Sequence, residues 1–445
     1  MIIKEKAKQF AIAAHNGQTR KNEPDNPMIM HPIAVGMLLE EYGYDDMVIS
    51  AGYLHDVVEE TKYTIQDIEE HFGSDIANLV MGASEPDKSL SWKKRKQHTI
   101  DEIKILSLRN KLVVCADKIN NLEDLMITFQ KTGIRDFSCF NAGEEQQSWY
   151  YNSIYESIIL GQDKGIPIFQ RLKTVLDIVF NNKKDEFLDN VFSNDIDYYN
   201  KLISLNAQKL ELKKLKELCA LSKPFVIEFC GTPRTGKTTI LNNLYDFFKK
   251  GGFSVNLVEE LTTSKYYKEV LYPQFKNKSI YELNNCIIKE TSKQLKQAIA
   301  QGSDIIMIDR SLNDRAIWNH RRFIKTGMNK KQYSEITDKY SALSRELIDI
   351  LVIGYTDSKT ALKRDYVNSL ALEPRRFLSI ENIEEYNTSM ESSMKVFENS
   401  VSNIYRLDTT DITPRDSSVL IAENIMIIMR EQYIKIFNEI INKVI

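Results

Sequence analysis

Phe225-Val-Ile-Glu-Phe-Cys-Gly-Thr-Pro-Arg-Thr-Gly-Lys-Thr-Thr239 decides how this chain is read. It opens with a mostly apolar run of strand length that ends on glycine. TTILNNLYDFFKKGG then follows, with helical spacing and a glycine stop. Between them stands G-x-x-x-x-G-K-[ST], and a strand before and a helix after is the context that makes this motif specific. Gly231 and Gly236 permit the turn, and the loop Thr232, Pro233, Arg234 and Thr235 wraps phosphate oxygens at a helix N-terminus. Lys237 reaches the β- and γ-phosphates, Thr238 offers a hydroxyl to Mg²⁺, and Thr239 completes the expected nucleotide-binding stretch from Gly231. The expected ligand is ATP with Mg²⁺.

Outward from this loop toward the C-terminus, short apolar runs alternate with helical segments. FSVNLVEE, SDIIMIDR and IDILVIGY read as further strands. The alternation predicts an α/β domain with a mainly parallel sheet and helices on both faces. Asp309 closes the run IIMID, the place where open parallel sheets hold active carboxylates, and it suits a Mg²⁺-water ligand. Glu260 is expected at the end of the second strand as the base that positions an acceptor hydroxyl, with Glu259 as its competitor. Arg310 follows Asp309, and Arg364, Arg375 and Arg376 come in close order, as arginines that neutralise charge in phosphoryl transfer do. Together with Glu384-Glu-Tyr386-Asn387 and Tyr405–Pro414, this set resembles the P-loop kinases of nucleosides and nucleoside monophosphates. The resemblance spans residues 223–445 and implies a catalytic Glu260, Asp309 and Arg364, with Arg310, Arg375 and Arg376 on the substrate. It leaves the acceptor open. No N-K-x-D base motif follows the loop, which disfavours a GTPase.

Toward the N-terminus the pattern changes. KAKQFAIAAH, HPIAVGMLLEEYG and VISAGYLHDVVEET repeat apolar residues at three-to-four spacing, with Gly43, Gly73 and Gly133 as stops. Thr64-Ile-Gln-Asp67 has capping-box form. Residues 1–184 are therefore expected as an all-α domain, 185–222 as a charged, solvated helical linker, and 223–445 as the α/β domain.

The all-α half holds a second set of reactive residues. His31 precedes Pro32, which suits the first position of a helix. His55 and Asp56 are adjacent and are expected on one helix, about 100° apart in direction, so that both point toward one ion. Asp117 follows the apolar run LVVCA, which buries it unless a partner or metal is present. His and Asp are ligands for a hydrolytic divalent metal that keeps a position for water. Glu59 and Glu60, one turn beyond the pair, can orient that water. His15, His71 and His98 lack such company and are expected to be surface or capping residues.

The order Gln18-x-Arg20-Lys21, His31-Pro32, Leu54-His55-Asp56-Val-Val-Glu59-Glu60-Thr61 and Ala116-Asp117-Lys-Ile-Asn-Asn121-Leu122 resembles the alarmone hydrolases. These are the HD-type hydrolase domains of RelA/SpoT proteins and their small stand-alone relatives. The resemblance implies Mn²⁺ on His31, His55, Asp56 and Asp117. It implies Glu59 and Glu60 acting on the attacking water, Asn121 on the ribose, and Arg20 and Lys21 on base and phosphates. It implies removal of a 3′-pyrophosphate or 3′-phosphate from a (p)ppGpp-like nucleotide. Glu60 stands where the family usually has Asp, and the loop from Lys21 to His31 is longer than usual.

The chain has 445 residues, 42% hydrophobic and 27% charged, which implies more than one core. A net charge of -3 gives no global field for nucleic acid. The five cysteines form no C-x-x-C pair, which fits a reducing cytoplasmic setting, and no apolar run approaches membrane-span length. The leading expectation is a bifunctional enzyme on small-molecule nucleotides. One alternative is nucleic-acid end healing, a 3′-phosphatase joined to a 5′-kinase. Another is a hydrolase regulated by an ATP-binding switch. The oligomeric state stays open.

Overall fold

The computed structural model describes residues 2–20, 23–83, 91–134, 136–137, 140, 142–180, 196–219, 223–275, 278–326, 328–369 and 378–444. Two compact units result: Met1–Ala220 with Gln432–Ile445, and Leu221–Glu431.

The first unit is helical: α1 (Ile3–Ala14), α2 (Met30–Glu41), α3 (Asp46–Leu54), α4 (Val57–Glu60), α5 (Ile65–Phe72), α6 (Ser74–Met81), α7 (Trp92–Ile105), α8 (Leu108–Thr132), α9 (Glu144–Ile159) and α10 (Pro167–Phe180). Two short antiparallel strands, β1 (Thr19–Arg20) and β2 (Glu23–Pro27), interrupt it, a ribbon the helical pattern did not announce. The expected capping box at Thr64 and Asp67 forms. Gly133 ends α8 in the left-handed conformation.

Two glycines set the crossing that brings the histidine and aspartate cluster together. A Cβ on Gly36 of α2 would lie 2.3 Å from the Tyr53 ring, and one on Gly52 of α3 would lie 2.6 Å from Leu39. Only hydrogen fits at Gly36, and the Cβ position on Gly52 lies 3.1 Å from the Gly36 Cα, so α2 and α3 touch. This brings His31, in the first turn of α2, against His55, just past the end of α3. Helix α8 packs on both, and its buried Cys115, Ala116, Ile119 and Leu122 fix the rotation that turns Asp117 inward.

The helix Ile196–Leu218 differs from the expected solvated linker. It belongs to the first unit and packs along α8, burying Leu205, Ala207, Leu212 and Leu215. Its many lysines hid this face, because each carries a long stem over apolar neighbours. The last helix, Pro414–Val444, buries Ile421, Ala422, Ile425, Met426 and Met429.

The second unit is a five-stranded sheet ordered β4 (Val255–Val258), β5 (Ile305–Asp309), β3 (Phe225–Gly231), β6 (Ile350–Tyr355), β7 (Asn403–Asp408). Every pairing is parallel. Strand β3 is buried along its whole length, consistent with helices on both faces. The chain moves to one side of β3 for β4 and β5 and to the other for β6 and β7, so the loop after β3 sits where the strand order switches. Gly231 makes that exit possible: its φ is 122°, and a Cβ there would meet the Gly354 oxygen at 2.0 Å.

Candidate active sites

In the first unit His31 Nε2 and His55 Nε2 stand 3.2 Å apart. The other nitrogen of each ring is engaged. His31 Nδ1 donates to Asn120 Oδ1 at 2.7 Å, and His55 Nδ1 donates to the Gly52 carbonyl at 2.8 Å. With the ring protons held there, both Nε2 atoms turn lone pairs toward one point. Carboxylates face the same point. Asp117 Oδ1 is 3.2 Å from His31 Nε2 and 3.8 Å from His55 Nε2, and Asp56 oxygens lie 3.5 and 3.3 Å from the same two nitrogens. His31, His55 and Asp117 bring ligand atoms within 4.8 Å of one another, and with Asp56 beside them the two imidazoles and two carboxylates fit a divalent metal. Burial alone would lower the His31 pKa, but Asp117 and Asp56 hold it above its ordinary value. Asp117 is held well below the carboxylate range, its burial outweighed by Lys118 and the histidines.

His55 and Asp56 do not share a helix, contrary to expectation. They form the two-residue turn between α3 and α4, with His55 Nε2 3.3 Å from Asp56 Oδ1. A cavity of about 280 Å³ opens over them. Arg20, Lys96 and Lys118 line it as cations, with Glu59, Asn121 and Tyr150. Lys118 Nζ is 2.6 Å from Asp117 Oδ2, and Asn121 donates to Asp117 Oδ1 at 2.6 Å. Glu60 is exposed and outside the lining residues. Lys21 falls outside the described residues.

The expectation for His15 is corrected: it is buried, 1% exposed. Its Nδ1 meets Gln18 Oε1 at 2.8 Å, and Gln18 donates to the Glu60 carbonyl at 2.7 Å. Burial lowers its pKa. His71 and His98 are exposed, as expected. The sequence reading also missed Asn120, Lys96, Lys118 and Tyr150. Asn120 and Lys118 lie beside motif residues, but helix α7 and Tyr150 are remote in sequence and give no local signal.

In the second unit a cavity of about 960 Å³ lies above the phosphate loop. Pro233, Arg234, Gly236, Lys237, Thr238 and Thr239 line it, with Glu259, Glu260, Asp309, Arg310 and Arg364. Gly236 caps the following helix with φ 88°. Lys237 Nζ folds into the loop, donating to Gly231 O at 3.0 Å, Thr232 O at 2.7 Å and Thr235 Oγ1 at 3.2 Å. Burial and nearby Arg310 push its pKa down to about 7. Thr238 Oγ1 donates to Asp309 Oδ2 at 3.2 Å, while Asp309 Oδ1 is buried with no hydrogen-bond partner. A hydroxyl beside an unsatisfied buried carboxylate oxygen fits a hydrated Mg²⁺.

Strand β4 ends at Val258, two residues before Glu260. The Glu260 carboxylate is instead held beyond the strand by Arg315 and Thr262, partners the sequence did not indicate. Glu259 also lines the cavity beside Glu260. Arg310 takes a left-handed φ of 57°, its N–H donating to Phe229 O at 2.8 Å, and its side chain faces Asp314 at 3.8 Å. Arg364 reaches Arg234 O at 3.4 Å and Thr409 Oγ1 at 3.2 Å, closing over the loop. Arg375 and Arg376 fall outside the described residues. Among the described residues no helix is long and apolar enough to cross a membrane.

A family described as HD domain matches residues 7–135. The guanosine-3′,5′-bis(diphosphate) 3′-pyrophosphohydrolase MESH1 of Xenopus tropicalis is 40% identical over 121 residues, 27% of this chain and 67% of that protein. The bifunctional (p)ppGpp synthase/hydrolase SpoT of Escherichia coli is 35% identical over 131 residues, 28% of this chain and 18% of that protein. The structure of deoxyadenosine kinase from M. mycoides aligns with 45% of this chain and 98% of its own, at 21% identity and a TM-score of 0.34. Through its first unit, the chain belongs to the HD-domain family that includes the MESH1 pyrophosphohydrolases.

Proposed function

We propose that the first unit hydrolyses the 3′-pyrophosphate or 3′-phosphate of a (p)ppGpp-like nucleotide. The observation that carries this is the paired Nε2 atoms of His31 and His55, set with Asp56 and Asp117 beneath Arg20, Lys96 and Lys118. A divalent metal, Mn²⁺ in our reading, would be held by the four inward side chains and would supply a water of lowered pKa. Glu59 lines the cavity where it can take that water's proton. The three cations balance phosphate charge, and Asn121 orients Asp117 and stands at the ribose side. The test is pyrophosphate release from ppGpp by the purified chain with Mn²⁺. Absence of release across guanine and adenine 3′-phosphorylated nucleotides would overturn the reading.

The second unit, in the same proposal, transfers a phosphoryl group from ATP to a nucleoside or nucleotide. Lys237, Thr238 and Asp309 hold the donor side. Glu260, fixed by Arg315, orients the acceptor hydroxyl, and Arg310 and Arg364 offset developing charge. Radiolabelled ATP with a panel of nucleosides and monophosphates tests this, and label that passes only to water would sink the transferase assignment.

A further inference from the structure

Five charged side chains of alternating sign run from the metal-site cavity into the helix Ile196–Leu218. Arg20 Nη1 is 2.8 Å from Asp124 Oδ2. Asp124 Oδ1 is 3.1 Å from Lys214 Nζ, which is also 3.1 Å from Glu123 Oε2. Glu123 in turn accepts from Arg171 at 2.8 Å. Asp124 and Glu123 are consecutive on α8, so Lys214 is the cation they share. Its side chain is 20% exposed, and burial of that charge is offset by the two carboxylates. Arg20 lines the cavity over His31 and Asp117.

We infer that Lys214 is a positioning residue for the hydrolase, acting through Asp124 to set how much of the Arg20 charge is left for substrate phosphate. The helix that carries it lies well beyond the matched family region, which ends at residue 135. Asp124 has two cations to satisfy it. If Lys214 is removed, Arg20 becomes its only cation among these five, and the carboxylate competes fully with the substrate's phosphates. Ground-state binding of the anionic substrate then weakens, while Glu59 and the metal ligands, which carry the chemistry, are untouched. The effect belongs in KM.

This inference rests on the hydrolase reading, and the two fail differently. If the wild-type chain releases no pyrophosphate, the reading fails first. If it does, Lys214→Met in the full chain is expected to raise KM about five- to twentyfold, with kcat within about twofold. Lys214→Arg is expected to restore KM. In an Asp124→Asn background, Lys214→Met is expected to change KM no further. A wild-type KM in Lys214→Met overturns the inference. So does a fall in kcat that follows the loss of folded protein, or an equal KM rise with and without Asp124.

Discussion

Glu228 lies in the middle of β3 and is fully buried. Its carboxylate accepts from the backbone N–H groups of Ser311, Asn313 and Asp314 and from Asn313 Nδ2. It therefore caps the N-terminus of the helix Leu312–Thr326 from inside the sheet, behind Asp309 and Arg310. Burial, against those donors and with help from Asp314, pushes its pKa up from 4.5 to about 7. The sign is opposite to that of an ordinary paired carboxylate. Between about pH 4.5 and 7 the folded state binds the proton that the unfolded state has released, so stability falls as pH rises through that window. The full effect is about 3 kcal/mol. Glu228→Gln is expected to flatten this dependence in the second unit's thermal unfolding between pH 5 and 8. A stability gap between wild type and variant that stays constant across that range would show that Glu228 does not titrate there.

At the scale of elements, the phosphate loop and the metal cluster differ in how much of them could be read beforehand. The loop is local: strand, glycine turn and helix are contiguous from Phe225 to Lys250, so sequence pattern and structure coincide. The cluster depends on α2, α3 and α8 meeting, and only the order of motifs announced that His31, His55 and Asp117 converge. What the pattern could not carry was burial by remote elements. His15 reads as a surface residue until the chain folds over it, and Ile196–Leu218 reads as a linker until α8 covers its leucines. Arg315, which fixes Glu260, has no spacing signature at all. The α2–α3 crossing makes the distinction testable. Gly36→Ala gains about 1 kcal/mol of helix propensity. Its Cβ, however, would sit 2.3 Å from Tyr53. Forcing the helices apart is expected to cost roughly 1–3 kcal/mol, so the variant is expected to lose up to about 2 kcal/mol on balance. Because the crossing sets the His31–His55 distance, Mn²⁺ affinity is expected to drop with it. Melting curves and metal titration of the same variant check both, and unchanged metal affinity in a destabilised protein would separate the crossing from the site.

For the whole molecule the question is whether two complete sets of reactive residues work as two enzymes. Each unit gathers its own candidate site residues: His31, His55, Asp56 and Asp117 in one, Lys237, Thr238 and Asp309 in the other. Ligands that bind only the folded state stabilise by mass action, about 2.7 kcal/mol at a hundredfold excess over Kd. Mn²⁺ is thus expected to raise the unfolding temperature of the first unit and a chelator to lower it, while MgATP raises that of the second. Activities are expected to separate in the same way. His55→Ala is expected to abolish nucleotide hydrolysis and to leave phosphoryl transfer within about twofold, since its partners His31, Gly52, Asp56 and Asp117 all belong to the first unit. Lys237→Ala does the reverse. Parallel assays of both variants decide between the bifunctional reading and its rival. If Lys237→Ala also changes the hydrolysis rate, and no phosphorylated acceptor is found with any nucleoside or nucleotide, then ATP acts in the second unit as a regulator of the first rather than as a phosphoryl donor.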